Sequence, residues 1–308
     1  MIFPAKLRPG SRVALLSPAG PVPPERLNPA VEAVCRLGLT PLVYESCHTR
    51  RGYLAGSDEL RAGDLMRAFL DDSVDGIWCI RGGYGAQRLM NRLDFGAIAS
   101  HPKFFGGYSD ITALHIMLNQ RCGFASYHMP MPSTEVYKQP LDGYTMSGLQ
   151  RALFGSLAGP YGLPEGRRLA CLAGGRARGR LVGGNLSLVA SSLGTEYEID
   201  TRRRLLFLED VGEEPYRVDG MLQQLAASGK LKSAAGIILG DWTDCQARKP
   251  EQSLTLAEVF QDHISAAGVP AVMGLACGHS LPSGSLPMGA MAYLDANRLN
   301  LVIEEDGT

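Results

Sequence analysis

Short apolar runs alternate with longer amphipathic stretches through the first half of this chain, and that alternation restricts the fold more than any other feature. RVALLSPAG (12–20) is strand-like and ends in a Ser-Pro-Ala-Gly turn, while ERLNPAVEAVCRLGL (25–39) carries apolar residues at helical spacing. TPLVYE (40–45) is again extended, and SDELRAGDLMRAFLDD (57–72) is helical behind a Ser57 or Asp58 cap. The cycle then repeats: DGIWCIRGG (75–83) reads as a buried strand, YGAQRLMNRLD (84–94) as a helix, KFFGGY (103–108) as a strand, and DITALHIMLNQRCG (110–123) as a helix closed by Gly123. Strands alternating with helices predict a parallel sheet covered on both faces, with functional loops at the carboxyl ends of the strands.

At 308 residues the chain exceeds one domain of about 150 residues, so two domains are expected. Residues 155–179 (GSLAGPYGLPEGRRLACLAGGRARG) are rich in Gly, Pro and Arg and are read as a connection between an amino-terminal domain (1–154) and a second domain (180–308), with LACLAG as a candidate short strand. RLLFLED (204–210) and AAGIILGDW (234–242) are strand-like and flank a helix, RVDGMLQQLAASG (217–229). A further helix, LTLAEVFQDHISAAG (254–268), and a hairpin, AMAYLDANRLNLVIEE (290–305) turning at Asp295-Ala296-Asn297, make the second domain α/β with a mixed sheet.

Charge and cysteine content narrow the function classes. A net charge of -1 offers no bulk attraction to polyanions, which argues against nucleic acid and anionic membrane as partners. No stretch of about 20 unbroken apolar residues is present, and the amino terminus lacks the apolar core of a secretory signal, so a cytoplasmic protein is expected. The seven cysteines (Cys35, Cys47, Cys79, Cys122, Cys171, Cys245, Cys277) form no C-x-x-C pair, against both a disulfide framework and a thiolate metal site.

Four stretches could carry chemistry. RGGYGAQR (81–88) stands between a strand and a helix and is a tight turn, an anion cradle or an oxyanion hole. It lacks the third glycine of a dinucleotide fingerprint and the Lys-Ser/Thr of a P-loop. In GYSD (107–110), Ser109 is either a nucleophile on a strand-to-helix turn or an N-cap of the helix behind it, and the second glycine of a G-x-S-x-G elbow is replaced by Ile111. His115, six residues on, is rotated about 240° around a helix axis and points away. His128 and His279, each beside a strand end, remain as candidate bases. Glu209 and Asp210, closing an apolar strand, are candidate orienting acids.

Together GYSD (107–110), LFLEDVGEEPYRVDGMLQQL (206–225) and CGHS (277–280), with RGGYGAQRL (81–89) and LVGGNLSLVASSLGT (181–195), resemble the LD-carboxypeptidase family of serine peptidases, which also contains the microcin-immunity peptidases. The resemblance implies an amino-terminal class I glutamine amidotransferase-like domain with a parallel sheet, a smaller α/β domain with a mixed sheet, and an active site in the inter-domain cleft. It further implies a triad of Ser109, Glu209 and His279, an oxyanion hole from the backbone N–H groups of Gly83 and Asp110, and a homodimer needing no metal or organic cofactor. The implied reaction is removal of the terminal D-alanine from a murein-derived tetrapeptide in cytosolic cell-wall recycling. The substrate's carboxylate then needs a cation, for which Arg81 and Arg217 are the candidates. The alternatives are a peptidase of peptide–nucleotide conjugates, which would hold a base by aromatic stacking, and a non-catalytic nucleotide or small-ligand binder. Against the former, Trp78 and Trp242 lie in apolar runs and residues 155–179 offer only Tyr161.

Overall fold

A computed structural model describes residues 1–304; Glu305, the last residue of the expected hairpin, lies outside the described residues. The chain divides into two compact units. The first is Met1–Ser156 with Ser285–Pro287, and the second is Leu157–Gly284 with the chain from Met288 onward.

The first unit is built on six strands in the order Leu286–Met288, Ser126–His128, Phe104–Gly107, Gly76–Cys79, Arg12–Leu16, Thr40–Val43. The pairings from Ser126–His128 to Thr40–Val43 are all parallel. Gly76–Cys79 and Phe104–Gly107 are buried at every position, as expected where both faces of a parallel sheet are covered by helices. The order reverses between Arg12–Leu16 and Gly76–Cys79, and in such sheets the crevice beyond the carboxyl ends at this switch point is where ligands bind. The loops that follow these strands are SPAG (17–20) and RGGYG (81–85).

Most helix expectations hold. Asp58–Leu70 starts behind Ser57, whose side chain accepts the N–H of Leu60, and the helical run after Ser109 ends at Gly123 in the left-handed conformation. Residues 86–92 instead wind as a 3-10 helix, because the preceding loop is gripped at Gly85 and Ala86 as described below.

The second unit holds an eight-stranded mixed sheet, ordered Gly159–Pro160, Asn300–Glu304, Met291–Asp295, Arg176–Asn185, Leu205–Val211, Gly236–Thr243, Ala271–Met273, Ala170–Ala173. Its centre, from Arg176–Asn185 to Ala271–Met273, is parallel and the flanking pairs are antiparallel. Residues 155–179 are therefore part of the second sheet rather than a free connection: they supply Gly159–Pro160, Ala170–Ala173 and the start of Arg176–Asn185. The physical reason is period-2 alternation in RARGR. Arg176 and Arg178 face outward to Asp295 and Glu304, while Ala177 and Gly179 turn inward. Leu286–Met288, which returns the chain to the first sheet, is too short and proline-bearing to signal a strand in sequence. Among the described residues no helix is long and apolar enough to cross a membrane.

Candidate active site

Ser109 lies two residues beyond Phe104–Gly107 and adopts φ +67°, a left-handed conformation that costs a non-glycine residue free energy and persists only where surrounding structure enforces it. Neither the 3-10 turn Ser109–Ile111 nor the helix Thr112–Met117 has a side-chain cap, so the serine is not spent as one. The enforcement comes from packing around the preceding glycines. A Cβ at Gly106 would lie 2.7 Å from the Met129 sulfur, and one at Gly107 would lie 3.1 Å from Cys79 Cβ and 3.2 Å from Ile111. His115 is committed elsewhere, with Nε2 donating to the Gly107 carbonyl at 2.9 Å and Nδ1 facing Ser126 Oγ at 2.8 Å. Complete burial lowers its pKa to about 4, so the ring stays neutral and braces the turn.

The glycine loop presses against this turn. A Cβ on Gly82 would sit 2.8 Å from Ser109 Cβ and 3.0 Å from its Oγ, and one on Gly83, at φ +118°, would meet Gly20 at 2.9 Å. Gly20 N–H donates to the Gly82 carbonyl at 3.0 Å, so the loops after the first and third strands run side by side. Only backbone without side chains can approach this closely. The Asp110 side chain turns under the same loop and accepts the Ala86 N–H at 2.6 Å. Its burial pushes the carboxyl up to about 6 despite these N–H groups and the nearby Arg61 guanidinium. Asp110 thus uses its carboxylate to hold the glycine loop, a role separate from the backbone N–H that the resemblance assigns to an oxyanion hole.

In the second unit, strand alternation separates Glu209 from Asp210. Asp210 accepts from Asn185 Nδ2, Ser187 N, Ser187 Oγ and Val211 N at 2.7–2.9 Å, so it is committed to the start of the helix Leu186–Ser191. Glu209, fully buried, points to the other face and bonds His279 Nδ1 through Oε2 at 2.7 Å. The loop bearing His279 is zipped onto Gly236–Thr243 by Leu275 N to Leu239 O and Asp241 N to Cys277 O. Gly278, at φ +145°, leaves room for the acid: a Cβ there would lie 2.9 Å from Glu209 Oε2. Burial raises the Glu209 carboxyl pKa and the His279 ring pulls it back, which is the electrostatic signature of an acid committed to one imidazole. A carboxylate on Nδ1 makes Nε2 the basic nitrogen of the ring.

The other candidate residues sit in different environments. His128 is buried in the first unit, its ring 5.4 Å from that of Tyr108 and 6.4 Å from that of His115. Arg81 is partly buried; it donates to the Pro21 carbonyl at 2.7 Å, and Nη2 lies 3.8 Å from the position of a Gly83 Cβ. Arg217 is exposed on its helix, against Tyr216 at 3.1 Å and Glu213 at 3.8 Å. Sequence reasoning missed Asp58 and Arg61, both buried, although Arg61 interrupts the apolar stripe of Ala62, Leu65, Ala68 and Phe69 and that interruption is a readable signal.

Comparison with known proteins places these elements in context. Residues 13–129 match the LD-carboxypeptidase N-terminal domain and residues 178–294 the LD-carboxypeptidase C-terminal domain. The "Probable murein peptide carboxypeptidase" of Bacillus subtilis is 42% identical over 98% of this chain and 94% of that protein. The murein tetrapeptide carboxypeptidase of Pseudomonas aeruginosa is 32% identical over 94% of each. Among solved structures, the muramoyltetrapeptide carboxypeptidase of Oxalobacter formigenes superposes with a TM-score of 0.83 at 28% identity, over 97% of this chain and 100% of that one.

Proposed function

The chain belongs to the LD-carboxypeptidase family, and on that premise we propose that it is a serine LD-carboxypeptidase that releases the terminal D-alanine of murein tetrapeptide in cytoplasmic cell-wall recycling. Ser109 Oγ attacks the carbonyl carbon of the L-centre as His279 Nε2 takes the hydroxyl proton, with Glu209 holding Nδ1–H. The charge developing on the carbonyl oxygen is met by the N–H groups of Gly83 and Asp110. Collapse of the tetrahedral intermediate breaks the C–N bond, and His279 returns the proton to the D-alanine nitrogen. Water, deprotonated by His279, then cleaves the acyl-enzyme to free the tripeptide and Ser109. Arg81, beside Gly83, is the stronger candidate for the D-alanine carboxylate, ahead of the exposed Arg217. The steps call on no metal or organic cofactor, and the enzyme is taken to work as a homodimer.

The observation that carries this reading is an uncapped serine held at φ +67° against a glycine loop, a conformation with no purpose in a simple helix start. Mass spectrometry of tetrapeptide turnover tests it: Ser109→Ala should stop D-alanine release, and turnover near wild type would refute it.

The two alternatives lose support from side chains already committed. Trp78 is fully buried and donates to the Pro130 carbonyl at 3.0 Å, Trp242 packs on Phe260 with ring centroids 4.9 Å apart, and the Tyr161 hydroxyl donates to the Ala276 carbonyl. None of the three is poised to stack a nucleobase. A phosphate cradle at RGGYG is disfavoured because the Asp110 carboxylate already takes the Ala86 N–H.

A further inference from the structure

One peptide group in the glycine loop is held by opposite charges on its two edges. The carbonyl of Gly85 accepts from Arg61 Nη1 at 2.9 Å, and the N–H of the same peptide unit, that of Ala86, donates to Asp110 Oδ2 at 2.6 Å. Rotating this peptide by half a turn would aim its carbonyl at a carboxylate and its N–H at a guanidinium. Gly85 is at φ +122°, where flanking peptides turn over easily unless something prevents it. The guanidinium sits tight against it, since a Cβ on Gly85 would be 2.9 Å from Arg61 Nη1.

Arg61 reaches further. The same Nη1 donates to the Pro18 carbonyl at 2.5 Å, so one nitrogen bridges the loop after the first strand and the loop after the third. Its other terminal nitrogen pairs with Asp58, whose carboxylate is in turn held by Arg88 through Nε at 2.9 Å and Nη2 at 2.8 Å. Arg61 has no solvent exposure, and its Nε finds no partner among the described residues. Burying a guanidinium with an unmet donor is unfavourable, and apolar packing would join helix to loop at lower cost. What apolar packing would not supply is the direction of a peptide plane.

We propose that Arg61 is a positioning residue for the oxyanion loop: with Asp110 it locks the Gly85–Ala86 peptide, and with Pro18 it fixes the neighbouring loop, so that the Gly83 N–H keeps one orientation beside Ser109. The chain of restraint runs from the strained Ser109 through Asp110, Ala86 and Gly85 to Arg61 and Pro18, which ties the nucleophile turn and the oxyanion loop into one unit. Asp58 and Arg88 form its outer brace. The inference rests on the serine-peptidase reading.

The test compares wild type, Arg61→Lys, Arg61→Met and Arg88→Met in the full chain. Two rates are measured: D-alanine release from murein tetrapeptide, and covalent labelling of Ser109 by a fluorophosphonate, which needs the same N–H donors but no particular substrate. Tetrapeptide affinity is titrated in the Ser109→Ala background with and without Arg61→Lys. Lysine keeps the charge and loses the fork, so the labelling rate and kcat should both fall at least about tenfold while KM and tetrapeptide affinity change less than about twofold. A folded Arg61→Lys protein that labels within twofold of wild type would overturn the positioning role, as would parallel losses of affinity and rate. If both Arg61 variants fail to fold, Arg88→Met decides: a labelling rate reduced about threefold or more at unchanged melting temperature supports the brace, and an unchanged rate overturns it. A wild type that labels at Ser109 but leaves tetrapeptide intact overturns the substrate reading alone, and one that does not label overturns both.

Discussion

The proposed nucleophile and the proposed acid–base pair are constructed by opposite means. Around Ser109 the information lies in the backbone: a positive φ, glycines whose missing side chains allow loops to touch, and a peptide plane fixed by flanking charges. Around Glu209 and His279 it lies in side chains: a buried carboxylate aimed by strand alternation at an imidazole delivered on a zipped loop. A backbone-built site fails when an atom is added, whereas a side-chain-built site fails when an atom or a charge is taken away. Substitutions of each kind separate the two.

Removal of the reacting atom gives the largest effect. Ser109→Ala should lower kcat about 10⁴-fold or more with an unchanged circular dichroism spectrum, because nucleophile and base act as a unit. Glu209→Gln keeps volume but discards the charge that orients His279, and a loss of about 10²–10⁴-fold in kcat at similar KM is expected. Full activity in that variant would remove Glu209 from the triad. Gly82→Ala adds a single methyl against Ser109, where its Cβ would lie 2.8 Å from that of the serine; kcat should fall about 10²-fold through misplacement alone. A harmless Gly82→Ala would break the contrast between the two regions, because the same small addition in open space costs nothing.

Asp110 gives the contrast a pH dependence. Its folded pKa of about 6 is above that of an unfolded aspartate, so its contribution to stability is fully present below about pH 3.8 and is lost as the pH rises through 6. Asp110→Asn, which faces the same Arg61, should therefore be more stable than wild type by about 1–3 kcal/mol at pH 8, with the difference vanishing near pH 4. Urea melts at the two pH values measure it, and a variant equally destabilised at both would contradict the buried-charge picture. The smallest effect is expected at the cation candidates. Arg81→Met should raise KM several-fold with kcat little changed, and Arg217→Met should do less, since Arg217 is exposed and already held by Tyr216 and Glu213.

Much of this was legible in the chain. The strand at 104–107, the turn at Ser109 and the glycine loop could be read from apolar runs ending in Gly and Ser, and the sheet's parallel character from the alternation of strands with helices. Residues 155–179 misled because glycine and proline mask a period-2 pattern when Arg alternates with small residues. Glu209 and Asp210 were indistinguishable because adjacent strand residues share every local property except the face they point to. Arg61 escaped notice because a charged residue on a helix is normally solvated, and its place beside the apolar stripe of Ala62, Leu65, Ala68 and Phe69 was the one signal to the contrary.

Sequence alone carried the alternation of strands and helices in the first unit and the strand ends on which chemistry could sit, which follow from periodicity, and the resemblance to the family, which follows from motifs contiguous in the chain. Tertiary structure decided that Ser109 caps no helix, that Glu209 rather than Asp210 bonds His279, and that Arg61 is buried rather than solvated. Each of those choices depends on which distant atoms come within hydrogen-bond reach, and distance through space is set by packing rather than by separation along the chain.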